Sequence, residues 1–274
     1  MVTAELQFLS ESGGRPIYMA SSPGRDASFS VDRELKSYSV DIVNARTQLD
    51  PGQKGFAGQS ANGFDLINHR SGVSDFLDSD QIQDLYETEI EQLLKDVTGG
   101  SRVHIFDHTL RASDSSIRES KNLREPATLV HNDYTVKSGF NCLRENLEDE
   151  VENLLQQRFQ IINIWRPLVD PVINFPLVLC DARSIDRADL VDAERRARHH
   201  TGEILLAAYS SDQRWYYYPE MRPDEVLLFK TFDSINHGNE IASIHTSINI
   251  PGTPADSPPR ESIESRAFVF YANE

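Results

Sequence analysis

The sequence predicts a mainly β fold, a sandwich or barrel flanked by helices. Three observations carry that expectation. Short apolar runs rich in β-branched and aromatic residues recur at 161–165, 177–180, 204–209, 215–218, 226–229 and 267–271. Each is bounded by Pro, Gly, Asp, Asn or Ser, the punctuation of strands in sandwiches and barrels. Helical spacing is confined to two short stretches, and no run approaches the ~20 apolar residues of a membrane helix.

Taken in order, residues 1–60 are rich in Ser, Gly, Pro and Asp, with brief alternation such as Phe29-Ser30-Val31-Asp32. They predict an irregular N-terminal segment that packs on the core without forming a domain of its own. Over 78–97, Ile82, Leu85, Tyr86, Ile90, Leu93, Leu94 and Val97 follow helical spacing, with Ser79 available as a cap and Gly99-Gly100 as a stop. A second helix is expected over 143–158, with Leu147, Val151, Leu154 and Leu155 on one face and acidic residues on the other. Residues 186–203, with Arg195-Arg196-Ala197-Arg198-His199-His200, read as a charged surface helix end or loop. The proline-rich stretch 251–260 reads as a rigid connector between two strands.

The chain has 274 residues, 39% of them hydrophobic and 26% charged, which suits one globular domain over 1–274 with a sizeable core. A net charge of −16 argues against nucleic acid or an anionic membrane as partner, since both need a basic face. Two cysteines, Cys142 and Cys180, and a start without a basic, apolar leader predict free thiols and a cytoplasmic location. Oligomeric state stays open, a homodimer included.

Chemistry enters with His131-Asn132-Asp133 and a distant His245. Two imidazoles and one carboxylate on one side of a metal leave the other side open, as in non-haem Fe(II) oxygenases. His131 and Asp133 share strand parity and can point into one cavity while Asn132 points away. A plain turn with a hydrogen-bonded histidine is the competing reading. His237 competes with His245, but it sits in a Asn-His-Gly-Asn loop whereas His245 lies in an alternating segment. His104 and His108 have ligand-like spacing and read as structural or pocket-lining.

Longer runs give the chain a family likeness. Val103-His104-Ile105-Phe106-Asp107-His108-Thr109, Val130-His131-Asn132-Asp133-Tyr134-Thr135, and Gln160 through Leu168 carry it, with Pro176 through Ser184, Arg214 through Pro219, Pro223 through Lys230 and Pro258 through Glu264. Through these the chain resembles the AsaB-type hydroxylase/desaturases, related to a cephalosporin methoxylase accessory protein of the CmcJ type. The resemblance covers residues 100–271, more loosely before that. Two departures stand out: Ile244 and Ser247 replace the proline and aromatic usual around the distal histidine, and the loop 233–240 is distinctive.

The resemblance implies a double-stranded β-helix, a jelly-roll of cupin-like form with flanking helices. It implies Fe(II) held by His131, Asp133 and His245, 2-oxoglutarate and O2 as co-substrates, and oxidation of an unactivated C–H bond of a small metabolite of secondary metabolism. In such oxygenases an arginine on the last strand binds the far carboxylate of 2-oxoglutarate, often beside a hydroxyl; its planar fork suits a carboxylate. Arg266, set in the apolar run, is the favoured clamp, and Arg260 with Ser262 is the other candidate. Asn163, Trp165 and Arg166 are further pocket candidates, the alternative being a core tryptophan and an arginine tied to a surface carboxylate. The substrate pocket is expected from the loop before His131, the strand around Trp215 and the loop 233–240. There Asp233, Asn236, Asn239 and Glu240 either meet a substrate amine or are simply solvated. A jelly-roll metal hydrolase and a non-catalytic accessory partner are the alternatives.

Overall fold

Strand-forming sequence is used along most of the chain. The computed structural model describes residues 1–10, 14–24, 30–49, 55, 61–197, 200–238 and 242–272. In chain order its strands are β1 (Val2–Leu9), β2 (Ile17–Met19), β3 (Ser30–Val31), β4 (Leu35–Asn44), β5 (Phe64–Asn68), β6 (Arg102–Ala112), β7 (His131–Asn132) and β8 (Phe159–Pro167). They continue as β9 (Leu177–Cys180), β10 (Leu190–Arg196), β11 (Thr201–Ala207), β12 (Trp215–Tyr217), β13 (Glu225–Asp233), β14 (His245–Ser247) and β15 (Glu261–Phe270). The helices are α1 (Ala45–Gln48), α2 (Ser79–Gln81), α3 (Glu87–Thr98), α4 (Ser115–Lys121), α5 (Val136–Asn146) and α6 (Val151–Leu154).

One sheet runs β5-β13-β8-β15-β6; the other runs β1-β4-β12-β9-β14-β7-β11-β10-β2-β3. Strands β6, β15, β8 and β13 of the first and β7, β14, β9 and β12 of the second form the jelly-roll. Their inner faces meet in one buried cluster, where Trp165, Leu227 and Phe229 pack against Leu177 and Leu179. Alternation along β8 sends Ile162 and Ile164 to the opposite face, onto Ile82, Tyr86, Ile90 and Leu94 of the helical layer. Each such side chain, taken out of water, contributes about 1.5–3 kcal/mol before entropy is counted.

The first helical segment lies where its periodicity placed it, with a different cap. Asp78, not Ser79, accepts from the main-chain N–H of Asp80 at 3.0 Å and Gln81 at 3.4 Å. A carboxylate one residue earlier also favours the positive end of the helix dipole. After a single π turn over Ile82–Tyr86, α3 stops where Gly99 takes φ 72°, a left-handed value glycine adopts freely.

Three other expectations are corrected. The helix expected over 143–158 instead begins at Val136, where Thr135 and Ser138 form a reciprocal capping box, and ends at Asn146. The acidic run Glu148–Glu150 would sit at the negative end of a continued helix, and it forms a 3-10 turn before α6. Leu147, Val151 and Leu155 still pack together around the buried Leu154, so their shared face survives the break. The stretch 186–203 is a hairpin, β10 against β11, with Leu190 and Ala193 buried and Arg196 opposite Thr201. Its arginine-rich run hid a strand, and Arg198 and His199 lie outside the described residues. The N-terminal stretch is more regular than its composition suggested: β1 and β4 pair over eight positions, and β2 lies parallel to β10. Cys142 and Cys180 are unpaired.

Candidate active site

Strand pairing brings the three candidate ligands together across 114 residues of chain. His245 of β14 is the register partner of His131 of β7, and the two rings lie 4.4 Å apart. Asp133 follows two residues after His131, on the same side. One donor atom from each of the three lies within 4.8 Å of the others. His131 Nδ1 donates to the carbonyl of Leu129 at 2.7 Å, which fixes the tautomer and leaves a lone pair on Nε2. That Nε2 faces Asp133 Oδ1 at 3.6 Å. Asp133 Oδ2 accepts from Asn163 Nδ2 at 2.8 Å and Arg266 Nε at 3.1 Å, so Oδ1 is the oxygen turned to the imidazole.

Protonation follows from these contacts. Burial alone would raise the Asp133 carboxyl, but Arg266 and then the two histidines hold it well below its usual range. Burial, reinforced by His131, pushes His245 down to about 3, so its ring is neutral. His245 Nδ1 is buried without a hydrogen-bond partner among the described residues, and Phe229 covers the ring at 4.7 Å. Two imidazoles and one ionised carboxylate are a donor set that suits a divalent first-row metal.

The arginines separate by the groups around them. Arg266 is enclosed by three carboxylates, those of Asp133, Asp107 and Glu264, which leave its fork saturated. Arg260, 1% exposed, has no carboxylate within ion-pair distance among the described residues. Its Nε and Nη2 donate to Ser262 Oγ at 3.2 and 3.1 Å, and Nη1 donates to Ser247 Oγ at 2.6 Å and the Phe175 carbonyl at 2.8 Å. The guanidinium lies 5.3 Å from the Trp165 ring, and burial lowers its pKa to about 9. Ser247, one of the two family departures, therefore touches Arg260. Arg166 is not at the site. It lies on the outer face of β8, bonded to the carbonyls of His69 and Pro223 and lying 5.4 Å from the Tyr86 ring. His108 also faces outward, bonded to Ser265 Oγ and Glu87, while His104 stacks on Phe268.

A cavity of about 640 Å³ opens onto His131 and Asp133. Its wall comes from β6, the segment before β7, α5, the β10–β11 hairpin and residues around Tyr18.

A family model described as an oxidoreductase/YMDC permease-like domain matches residues 6–270. The Fe(II)/2-oxoglutarate-dependent dioxygenase nvfI of Aspergillus novofumigatus is 34% identical over 199 residues, 70% of this chain and 69% of that protein. The hydroxylase/desaturase asaB of Aspergillus flavus is 35% identical over 149 residues, 49% of this chain and 65% of that protein. The solved structure of the iron and alpha-ketoglutarate-dependent endoperoxidase NvfI matches with a TM-score of 0.82 at 27% identity, covering 99% of this chain and 98% of that one. The chain belongs to the AsaB- and NvfI-like Fe(II)/2-oxoglutarate-dependent dioxygenases.

As a dioxygenase of this family the protein uses Fe(II) and 2-oxoglutarate to oxidise a small metabolite. No helix among the described residues is long and apolar enough to cross a membrane. The dioxygenase's cavity differs from the one expected. Trp215 is buried in the core against Phe8, at 6.1 Å between rings, because β12 turns it inward. Asp233 is consumed by Arg158, Lys230 and Gln160 on buried β13, so no substrate amine meets it. Asn239, Glu240 and the side chain of Asn236 lie outside the described residues. The sequence reading missed Tyr18, Arg111, Arg124, Arg195 and Glu203, all on the cavity wall. Of these only Arg111 left a signal, two residues after Thr109 and four after Asp107 on the same face of β6.

Proposed function

We propose that His131, Asp133 and His245 hold the Fe(II) and that Arg260, with Ser262 beside it, binds the distal carboxylate of 2-oxoglutarate. The observation that carries the reading is the arrangement of the three ligands: one imidazole anchored through Nδ1 with Nε2 turned to the carboxylate, one neutral and buried, and a carboxylate held through Oδ2 with Oδ1 facing the imidazole. When bound, Fe(II) and 2-oxoglutarate together reduce O2, the co-substrate leaving as succinate and CO2 while a substrate C–H bond is broken.

The surrounding side chains suit distinct tasks. Asn163 and Arg266 pin Asp133 Oδ2, which fixes the direction in which Oδ1 points. Phe229 shields His245 from water. Arg260 is a buried cation without a counter-ion among the described residues, and a bound carboxylate would offset that cost. Ser247 ties it to the strand that carries His245. Arg266 was the favoured clamp on sequence, but its three carboxylate partners support a role in orienting Asp133 instead.

Anaerobic addition of Fe(II) and 2-oxoglutarate tests the reading through the weak visible charge-transfer band of the chelate. Wild type should develop the band and His245→Ala should not. Full iron-dependent turnover in His245→Ala would remove it from the ligand set.

A further inference from the structure

Three arginines on the cavity wall form no ion pair among the described residues. Arg111 projects from β6, Arg124 from the segment that bridges to Arg111, and Arg195 from β10, where its register partner is Tyr18 of β2. Arg111 Nη1 donates to the Glu125 carbonyl at 2.8 Å and Arg124 Nη1 to the Ser21 carbonyl at 3.3 Å, with no carboxylate partner for either among the described residues. Among the described residues, no carboxylate lies within ion-pair distance of any of the three.

The acidic groups on the same wall are otherwise engaged. Asp107 and Asp133 are bound by Arg266, Glu203 by Arg15 and Lys137, and Glu194 by Arg196. Glu145 is exposed. Glu125 stands nearest the arginines, and its Oε1 accepts from the Ser21 hydroxyl. One carboxylate cannot balance three guanidiniums. Burial and then repulsion from Arg111 and Arg195 lower Arg124 from its ordinary value. In a chain of net charge −16, a half-buried cluster of unmatched cations is costly unless an anion joins it.

We propose that Arg111, Arg124 and Arg195 form the recognition site for a carboxylate on the prime substrate, so that the metabolite oxidised is an organic acid. This rests on the reading of the metal site given above. Arg124 and Arg195 stand on the segment before β7 and on the hairpin inserted between β9 and β12, outside the eight jelly-roll strands. An acid seated there has its skeleton in the same cavity as His131 and Asp133, along Phe106, Tyr134 and Ile204. The volume suits a metabolite of ordinary size and excludes a bulky polymer.

The test is binding of phenylacetate and 4-phenylbutanoate, and of their methyl esters, to the full chain loaded with Mn(II) and saturating 2-oxoglutarate. Ligand-observed NMR and calorimetry read the affinities. The acids should bind at least about tenfold more tightly than the esters, the worth of one charge-assisted hydrogen bond. Arg124→Gln and Arg195→Gln should each remove most of that difference, and Arg124→Lys should restore part of it in a chain that folds. Esters that bind as well as acids, no binding of either acid, or Gln variants with wild-type acid affinity would each overturn the proposal. So would Gln variants that weaken the Fe(II)–2-oxoglutarate band, because the arginines would then hold the co-substrate. Absence of that band in wild type strikes the oxygenase reading instead, and the acid–ester comparison with Mn(II) alone still decides this one.

Discussion

Asp133 shows how much one residue can depend on partners the sequence does not reveal. It is the only anionic ligand, so Asp133→Ala should abolish turnover and sharply weaken iron binding while the circular dichroism spectrum stays intact. Its Oδ2 is held by Asn163 and Arg266. Arg266→Leu should therefore lower iron affinity about 10–100-fold, the usual cost of losing such support. Arg260→Leu should instead raise the 2-oxoglutarate requirement about 30- to 1000-fold, for a lost contact of ~2–4 kcal/mol. Iron titration and 2-oxoglutarate kinetics on the same two variants separate the roles, and an exchange of the two phenotypes would reverse the assignment. The His131, Asp133 and His245 pattern was legible because spacing and parity are local. The division between Arg260 and Arg266 was not, because it depends on Asp107 and Glu264 approaching one arginine and only hydroxyls and carbonyls approaching the other.

At the scale of the element, packing overrides propensity in α5. Gly139 lies mid-helix, where alanine would ordinarily be about 1 kcal/mol better. A β-carbon there would lie 2.4 Å from the Phe232 ring, which is itself buried among Phe140 and Phe159. Overpacking of that kind costs about 1–3 kcal/mol, so Gly139→Ala should lower the melting temperature by a few degrees. A rise in thermal denaturation would show that Phe232 moves aside freely. The same helix marks where sequence reading failed. Its apolar periodicity pointed to residues 143–158, but the start is set by Thr135 and Ser138, whose reciprocal bonds no hydrophobic pattern records. Strand β10 was missed for a related reason: between the buried Leu190 and Ala193 and beyond them its residues are mostly charged, whereas the apolar end of its partner β11 was plain. Strands β8, β9, β12 and β13, apolar on both faces, were plain.

For the whole molecule, acid should act through carboxylates tied to cations. Burial would raise Glu203, but bonds from Lys137, Thr135 and Arg15 prevail and take it from 4.5 to about 2. Asp233 and Asp181 are lowered in the same sense by arginine partners. A carboxylate whose folded pKa is depressed stabilises fully above its unfolded value, and that contribution drains as pH falls toward the folded one. Urea unfolding at a series of pH values should thus show stability falling as pH drops from 4.5 toward 2, with Glu203→Gln flattening the slope. An unchanged slope in that variant would mean the Glu203 ties contribute nothing net.

The parallel pairing of β2 with β10 has a consequence in time. The two partners are separated by roughly 180 residues, which a ribosome takes about 10–35 s to synthesise at 5–20 residues per second. Through that interval β1 can already zip onto β4, since its partner emerges soon after it. Residues 17–19 can meet β3 early, but the other edge of β2 stays unpaired until the hairpin arrives, so that side of the cavity wall closes late. Protease added to stalled nascent chains should cut near Tyr18 until residue 196 has cleared the exit tunnel, and spare it afterwards.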